Sequence, residues 1–261
     1  MNRLTTVLST LRERRKKALA LFLTAGYPAA DSTPGLVLSL AAAGADIIEI
    51  GMPFSDPLAD GPVIQQSSAT AIGNGVTITG ILDGIRKIRE SSTVPLVLMG
   101  YINPILSYGS DRFFRDAASS GADGVILPEL TLEESVRFKT EIDRNGLSQI
   151  LLVAPTTPSE RITAIDAASG GFLYCVSTTG VTGSAGKGTP EDFLFRVKAC
   201  AKKNPALVGF GISAPEGARH AALLSDGVII GSALIRRLSE GEPVASISGW
   251  VRSIREALPA T

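Results

Sequence analysis

The sequence is poor in the residues that metal sites and disulfide frameworks need. It contains one histidine, His220, and two cysteines, Cys175 and Cys200, in 261 residues. A zinc site needs several histidine or cysteine ligands, and a disulfide framework needs more cysteines than these. We therefore expect no metal site, no disulfide framework and no metal-assisted aldolase chemistry in this chain.

The chain also has no excess of charge of either sign and no long hydrophobic run. Its 25 basic and 25 acidic residues cancel, which excludes a protein that binds nucleic acid electrostatically. No run approaches the roughly 20 apolar residues of a membrane span. Residues 14–25 resemble a signal peptide only superficially, because a polar segment precedes the charges and no convincing cleavage site follows. We expect a cytoplasmic protein.

A helix that ends at a glycine and leads into a short apolar strand recurs along the chain. The clearest copies are residues 41–50 and 118–127, and weaker copies lie at 167–176 and 223–230. Glycine often ends helices, and short apolar runs are typical of strands buried on both faces. With the other apolar runs, the pattern predicts strands near residues 19–24, 47–50, 95–99, 125–127, 149–153, 172–176, 206–209 and 227–230.

This alternation of strands and helices predicts an α/β fold, a (β/α)8 TIM barrel. We expect a single TIM-barrel domain over residues 1–261, because no linker or low-complexity tract interrupts the pattern. An amphipathic segment at residues 2–17 predicts an extra N-terminal helix before the first strand. A last helix at residues 244–258 is expected to cap the barrel.

The most informative stretch, residues 46–62, has the sequence D-I-I-E-I-G-M-P-F-S-D-P-L-A-D-G-P. Glu49 lies within its buried strand, and Asp56 and Asp60 lie on the loop that follows. An unpaired buried carboxylate is costly unless it is hydrogen-bonded, paired or protonated. Because active sites of such barrels lie at the C-terminal ends of the strands, two carboxylates are predicted in one pocket. A satisfied core acid and ordinary turn formers are the structural alternatives.

Glycine-rich turns follow the sixth, seventh and eighth predicted strands. Residues 177–188, S-T-T-G-V-T-G-S-A-G-K-G, hold four glycines and no bulky side chain, a composition that predicts a mobile lid. Residues 209–213 and the pair Gly231 and Ser232 follow the next two strands, where barrels of this kind bind phosphate. Each turn alone could simply end a strand, but together they predict a phosphate site.

These motifs closely resemble those of the tryptophan synthase alpha subunit family. The family motif E-x-G-x-P-x-S-D-P-x-A-D-G-P is matched without departure from Glu49 to Pro62. Similar motifs extend over the chain: F-L-T-A-G-Y-P at 22–28, N-P-I-L-S-Y-G at 103–109, G-V-T-G at 180–183, G-F-G-I-S at 209–213 and G-S-A at 231–233.

The resemblance implies retro-aldol cleavage of indole-3-glycerol phosphate to indole and glyceraldehyde 3-phosphate, with Glu49 and Asp60 as the catalytic pair. Glu49 would hold a raised pKa of roughly 6–7 and move both protons, while Asp60 would stay ionised and accept a hydrogen bond from the indole N–H. Thr182 on the lid would close towards Asp60. The resemblance also implies phosphate contacts at Gly183, Gly211, Gly231 and Ser232 and an indole pocket of Phe22, Tyr101, Leu127 and Tyr174, residues that ordinary barrel core would also explain.

The family further implies a partner, the beta subunit of an alpha2-beta2 heterotetramer, which would receive the indole and hold pyridoxal phosphate. No cofactor is expected in this chain, since no lysine lies at a predicted strand end. The expected contact surface includes Pro53, Asp56, Asn103 and Pro104. Two departures from the family pattern bear on these expectations: residues 128–131 read P-E-L-T instead of P-D-L-P, and the lid lacks an arginine after G-V-T-G.

Three other functions stay open at this point. A stand-alone lyase would release free indole instead of delivering it to a partner. Another phosphate-binding barrel enzyme, such as a sugar-phosphate isomerase, would explain the glycine-rich turns but not the loop at 53–62. A non-catalytic binding barrel would keep the phosphate site without needing Glu49.

Overall fold

The computed structural model describes residues 2–176, 189–209 and 211–260. Within these residues, eight parallel strands close into a barrel in chain order, with the last strand paired to the first. The strands are β1 (Ala18–Thr24), β2 (Ile47–Gly51), β3 (Leu96–Met99), β4 (Gly124–Ile126), β5 (Ser148–Val153), β6 (Leu173–Val176), β7 (Ala206–Gly209) and β8 (Gly227–Ile230).

The helices surround the barrel and, with one exception described below, connect its strands or follow the last one. Those in the described residues are α1 (Arg3–Glu13), α2 (Ser32–Ala42), α3 (Pro62–Gly73), α4 (Ile78–Arg89), α5 (Ile102–Tyr108), α6 (Ser110–Ser120), α7 (Leu132–Arg144), α8 (Ser159–Ala168), α9 (Pro190–Cys200), α10 (Pro215–Leu224), α11 (Ser232–Ser239) and α12 (Val244–Ala257). This arrangement confirms the predicted (β/α)8 barrel and its extra N-terminal helix. Each predicted strand coincides with an observed one.

The helix that closes the barrel is α1, at the N-terminal end of the chain. Its Leu4, Leu8 and Leu11 pack into the cluster of side chains that fills the barrel interior. The helix ends at Glu13 instead of residue 17, because Arg15 has a left-handed backbone conformation with φ of 53°.

The prediction that the last helix caps the barrel was wrong. Helix α12 lies in the outer layer and packs against α10 and α2. Its buried face includes Ile247, Val251 and Ile254, which recur at helical spacing and fit against neighbouring helices. The sequence shows that this helix has an apolar face, but α1 already occupies the end of the barrel.

Aspartates at the starts of strands tie the barrel together at the end opposite the predicted site. Asp46, Asp123 and Asp226 precede β2, β4 and β8, and each accepts a hydrogen bond from a backbone N–H at the start of the preceding strand, at 2.8, 2.9 and 2.8 Å. In the third pair of strands, Ser169 accepts the equivalent bond from Leu151 at 3.1 Å. The recurring sequence pattern therefore corresponds to a repeated contact between paired strands.

The contacts of Asp123 predict that it is the most costly of these aspartates to remove. Its side chain is buried and accepts from Arg89 at 2.7 Å and Arg3 at 3.0 Å, besides the N–H of Leu96. Asp123→Ala should lower the free energy of unfolding by about 3–5 kcal/mol, because it leaves a buried guanidinium group and a buried N–H without their partner. Urea unfolding measures this change.

The matched control is Asp83→Ala, which removes an exposed aspartate paired with Arg86 on the same helix. Exposed pairs of this kind contribute little, so we expect a change below about 0.5 kcal/mol. If both variants lost equally little stability, the aspartate contacts would not hold the strand pairs together.

Candidate active site

Glu49 is a carboxylic acid buried in the wall of the barrel. It occupies the third position of β2, level with Phe22 of β1 and Val97 of β3. Its side chain is fully buried, and neither carboxyl oxygen has a hydrogen-bond partner among the described residues. Desolvation therefore raises the pKa of Glu49 to about 8. At pH 7 the group is protonated, and its pKa lies above the range expected from the sequence.

Asp60 has a more polar environment on the loop between β2 and α3. Burial raises its pKa to about 6, a hydrogen bond from the Tyr101 hydroxyl opposes that rise, and the charge of Glu129 adds to it. The carboxylate is therefore ionised at pH 7, as expected from the sequence. The two carboxyl groups thus differ in charge at neutral pH, which is the condition for one to act as an acid while the other stays an anion.

Aromatic side chains surround these two groups. Tyr174 on β6 is buried, and its pKa is raised by desolvation and by the nearby Glu49 and Asp60. Phe22 is level with Glu49 on the neighbouring strand, and the Tyr101 hydroxyl binds the Asp60 loop. Three of the four predicted pocket residues, Phe22, Tyr101 and Tyr174, therefore lie close to Glu49 or Asp60.

The fourth predicted pocket residue is Leu127, directly after β4. It is buried and belongs to the same core cluster as Phe22. Both a pocket wall and ordinary barrel core would place it there, so its role stays a prediction.

Glycines make room for the aromatic rings at this end of the barrel. A Cβ atom on Gly51 would lie 2.4 Å from the ring of Phe22, and one on Gly209 would lie 2.8 Å from the Tyr174 hydroxyl. Both distances are below any normal contact. The packing of the two aromatic rings therefore explains why glycine occupies these two positions. The sequence alone suggested only strand ends and a phosphate-binding turn there.

Two of the predicted phosphate residues, Gly231 and Ser232, lie beside this pocket. Gly231 precedes α11, Ser232 is its first residue, and a Cβ atom on Gly231 would lie 3.3 Å from Phe22. Gly211, after β7, has φ of 73°, a left-handed conformation that favours glycine. A helix start attracts anions through its N–H groups and dipole. Gly183 and the predicted lid residue Thr182 lie outside the described residues.

The predicted partner-contact residues lie on two neighbouring segments of the rim: Pro53, Asp56, Asn103 and Pro104. The segments adjoin because they follow β2 and β3, which are paired. Each segment also exposes a large apolar side chain that sequence reasoning did not single out, Leu58 at 93% and Leu106 at 53% exposure. The sequence signal for these two residues is a large apolar side chain within a polar loop, since exposed apolar patches often mark contact surfaces.

Neither a metal cluster nor a membrane-spanning helix is found in the described part of the chain. No group of three or more histidine, cysteine, aspartate or glutamate side chains there could hold a metal ion. No helix there is long and apolar enough to cross a membrane.

Fold and site together define a TIM-barrel protein that holds two carboxyl groups of different charge state and a helix start beside an aromatic pocket. Residues 8–251 match the family model described as tryptophan synthase alpha chain. The chain belongs to this family.

Individual relatives support the assignment over the whole length. The tryptophan synthase alpha chain of Geobacter sulfurreducens is 44% identical over 99% of this chain and 99% of its own length. That of Citrifermentans bemidjiense is 43% identical over 99% and 98%. The solved structure of tryptophan synthase subunit alpha from Legionella pneumophila is 38% identical, covers 99% of this chain and 98% of its own, and superposes with a TM-score of 0.91.

The family assignment confirms the predicted activity. Tryptophan synthase alpha chains are the lyase subunits that cleave indole-3-glycerol phosphate, and they function with a beta subunit in alpha2-beta2 complexes. An isomerase and a non-catalytic binding barrel are therefore excluded as functions of this chain.

The burial of Glu49 predicts an unusual pH dependence of stability. Between its ordinary pKa of 4.5 and its folded value of about 8, only the folded chain keeps this proton. Rising pH therefore favours unfolding in this window, by up to about 1.4 kcal/mol per pH unit. Glu49→Gln removes this dependence, so wild type should lose stability relative to the variant from pH 5 to pH 7.

Urea unfolding of both proteins at pH 5, 6 and 7 measures the difference directly. Glu160→Gln, on the exposed first turn of α8, is the control and should follow wild type at each pH. Parallel pH profiles for wild type and Glu49→Gln would show that Glu49 titrates normally.

Proposed function

We propose that Glu49 carries both protons of the cleavage and that Asp60 is the fixed anion beside the indole ring. The observation that supports this most strongly is the carboxyl group of Glu49, which is fully buried, has no hydrogen-bond partner among the described residues and is neutral at pH 7. A neutral acid at pH 7 can donate a proton, and the carboxylate it leaves behind is a strong base in an apolar environment.

The proposed reaction begins with proton donation from Glu49 to C3 of the indole ring. The ring then carries a positive charge that the ionised Asp60 stabilises by accepting a hydrogen bond from the ring N–H. The Glu49 carboxylate next removes the proton of the hydroxyl group on the adjacent glycerol carbon. The bond between that carbon and C3 breaks, its electrons return to the ring, and the hydroxyl oxygen becomes the aldehyde oxygen of glyceraldehyde 3-phosphate. Glu49 ends protonated, ready for the next cycle.

We propose that Gly211, Gly231 and Ser232 bind the phosphate group of the substrate, with Gly183 of the undescribed segment. The support is the start of α11, which lies next to Phe22 and hence next to the pocket. Ser232→Glu should weaken the binding of glycerol 3-phosphate in calorimetry, because it places a negative charge at the helix start. Ser239→Glu, at the other end of α11, is the control, and equal affinities for both variants would contradict the assignment.

For the partner, we propose that the beta subunit docks on the rim at Pro53, Asp56, Asn103 and Pro104. It would take up the indole with its own pyridoxal phosphate, in the cytoplasm, while this chain acts as one domain over residues 1–261. Sedimentation of Asp56→Ala with the beta subunit tests the surface, with Asp83→Ala as control. A wild-type chain that forms no complex and whose rate the beta subunit leaves unchanged would be the stand-alone lyase.

The catalytic roles predict a large loss of activity in two variants. Glu49→Gln cannot transfer a proton and Asp60→Asn cannot stabilise the ring charge as an anion, so indole release should fall by at least about 10²-fold in each. The control Glu160→Gln should keep the wild-type rate. Activity of either catalytic variant within a few-fold of wild type would remove that residue from the mechanism.

The same roles predict a bell-shaped pH profile of kcat/KM for the wild-type enzyme. Below pH of about 6 the profile should fall because Asp60 becomes protonated, and above pH of about 8 it should fall because Glu49 ionises. An activity that kept rising above pH 9 would show that Glu49 acts first as a base.

A further inference from the structure

Tyr101 contacts the Asp60 loop at several points, although it follows a different strand. Its hydroxyl group accepts a hydrogen bond from the Ala59 N–H at 2.9 Å and donates one to the Asp60 carboxylate. Its ring also lies against that of Phe54, with the centroids 5.4 Å apart. A single side chain thus holds the backbone, the catalytic carboxylate and an aromatic ring of one loop.

Other contacts hold the backbone of this loop: Pro57 is buried, the Asp60 N–H donates to the Pro57 carbonyl at 3.1 Å, and the Gln65 side chain donates to the Asp60 carbonyl at 2.9 Å. The side chains between them are open to solvent. Ser55, Asp56, Leu58 and Ala59 are all exposed. A loop with so much exposed backbone samples several conformations unless specific contacts select one. Tyr101 supplies such contacts at the residue next to Asp60 and at Asp60 itself.

Tyr101 is in turn fixed by a residue that follows β4. The tyrosine is 6% exposed and directly precedes α5, and the N–H of the next residue, Ile102, donates to a carboxylate oxygen of Glu129. Glu129 therefore caps the start of α5 from a neighbouring loop. This glutamate stands where the related family motif has an aspartate, and its side chain is one methylene longer.

We propose that Tyr101 is a positioning residue that holds Asp60 where it can accept the indole N–H, and that Glu129 sets the position of Tyr101 through the start of α5. This proposal rests on the role of Asp60 given above. It assigns to the Tyr101 hydroxyl a function that a wall of the indole pocket would not require.

The proposal predicts the direction in which each substitution shifts the pKa of Asp60. The Tyr101 hydroxyl stabilises the carboxylate by hydrogen bonding, whereas the Glu129 charge destabilises it. Among the described residues, the other ionisable groups that face this region are Tyr174, which remains neutral, and Glu49, which is protonated at pH 7. Removing the hydroxyl should therefore raise the pKa of Asp60, and removing the Glu129 charge should lower it.

The experiment compares pH profiles of kcat/KM for wild type, Tyr101→Phe and Glu129→Gln. In Tyr101→Phe the acid limb should move to higher pH by at least about 0.5 pH unit, so kcat/KM at pH 6 should fall about twofold further than kcat/KM at pH 7.5. In Glu129→Gln the acid limb should move to lower pH, while the amide oxygen can still accept from Ile102. The substrate phosphate also ionises near pH 6, but equally for all variants.

Tyr108→Phe is the matched control, because it removes a hydroxyl that donates to Asp116 on the outer helix α6. Its profile should coincide with that of wild type. The Tyr101→Phe variant keeps the aromatic ring. If Tyr101 served only as a wall of the pocket, the acid limb of this variant would therefore match that of wild type. An unchanged acid limb in Tyr101→Phe would overturn the positioning role of Tyr101. Should Tyr101→Phe not fold, Glu129→Ala, which also removes the acceptor of the Ile102 N–H, is compared with Glu129→Gln. The proposal predicts an acid limb at higher pH in Glu129→Ala than in Glu129→Gln, and identical profiles would overturn it.

Asp60→Asn separates this proposal from the mechanism on which it rests. If Asp60→Asn keeps the wild-type rate, the catalytic role of Asp60 is wrong. If Asp60→Asn is inactive but Tyr101→Phe behaves like Tyr108→Phe, the mechanism stands and the positioning role of Tyr101 is overturned.

Discussion

The burial of one carboxyl group without a hydrogen-bond partner among the described residues is the constraint on which the site depends. Placing Glu49 in the wall of a closed barrel works against folding at neutral pH, because the group must keep a proton that an exposed carboxyl group would lose. The barrel tolerates this because β2 is hydrogen-bonded on both sides and all of its residues are buried. A rigid strand thus fixes the position of the proposed proton donor, and its apolar surroundings keep it protonated at neutral pH.

Asp60 shows how the same fold holds a second carboxyl group in the opposite charge state. It lies on a loop instead of a strand, and it accepts a hydrogen bond from the Tyr101 hydroxyl. Glu49 has no such donor among the described residues. The mechanism that we propose uses both states at once, an acid at C3 of the ring and an anion at the ring nitrogen. The rim loop that carries Asp60 also exposes Asp56 and Leu58, so the proposed catalytic anion and the proposed docking surface share one short segment.

Much of this could be predicted from the sequence, because local patterns determine it. Buried strands read as short apolar runs, and the repeated aspartates before β2 and β4 reflect a contact that recurs with the fold. The position of Glu49 within such a run was enough to predict a raised pKa. The packing of α12 was missed, since an apolar helix face does not reveal what it faces. The contacts of Tyr101 and Glu129 were missed too, because they join three loops, distant in sequence, that meet at the mouth of the barrel.

The central claim is that Glu49 is neutral in the free enzyme at pH 7, and a ¹³C NMR titration of glutamate-labelled protein tests it most directly. Comparison with Glu49→Gln identifies the signal of the Glu49 carboxyl carbon. The account predicts a titration midpoint at a pH of about 8. A midpoint near the ordinary value of 4.5 would contradict it, because Glu49 would then be a carboxylate at neutral pH and could not donate the first proton.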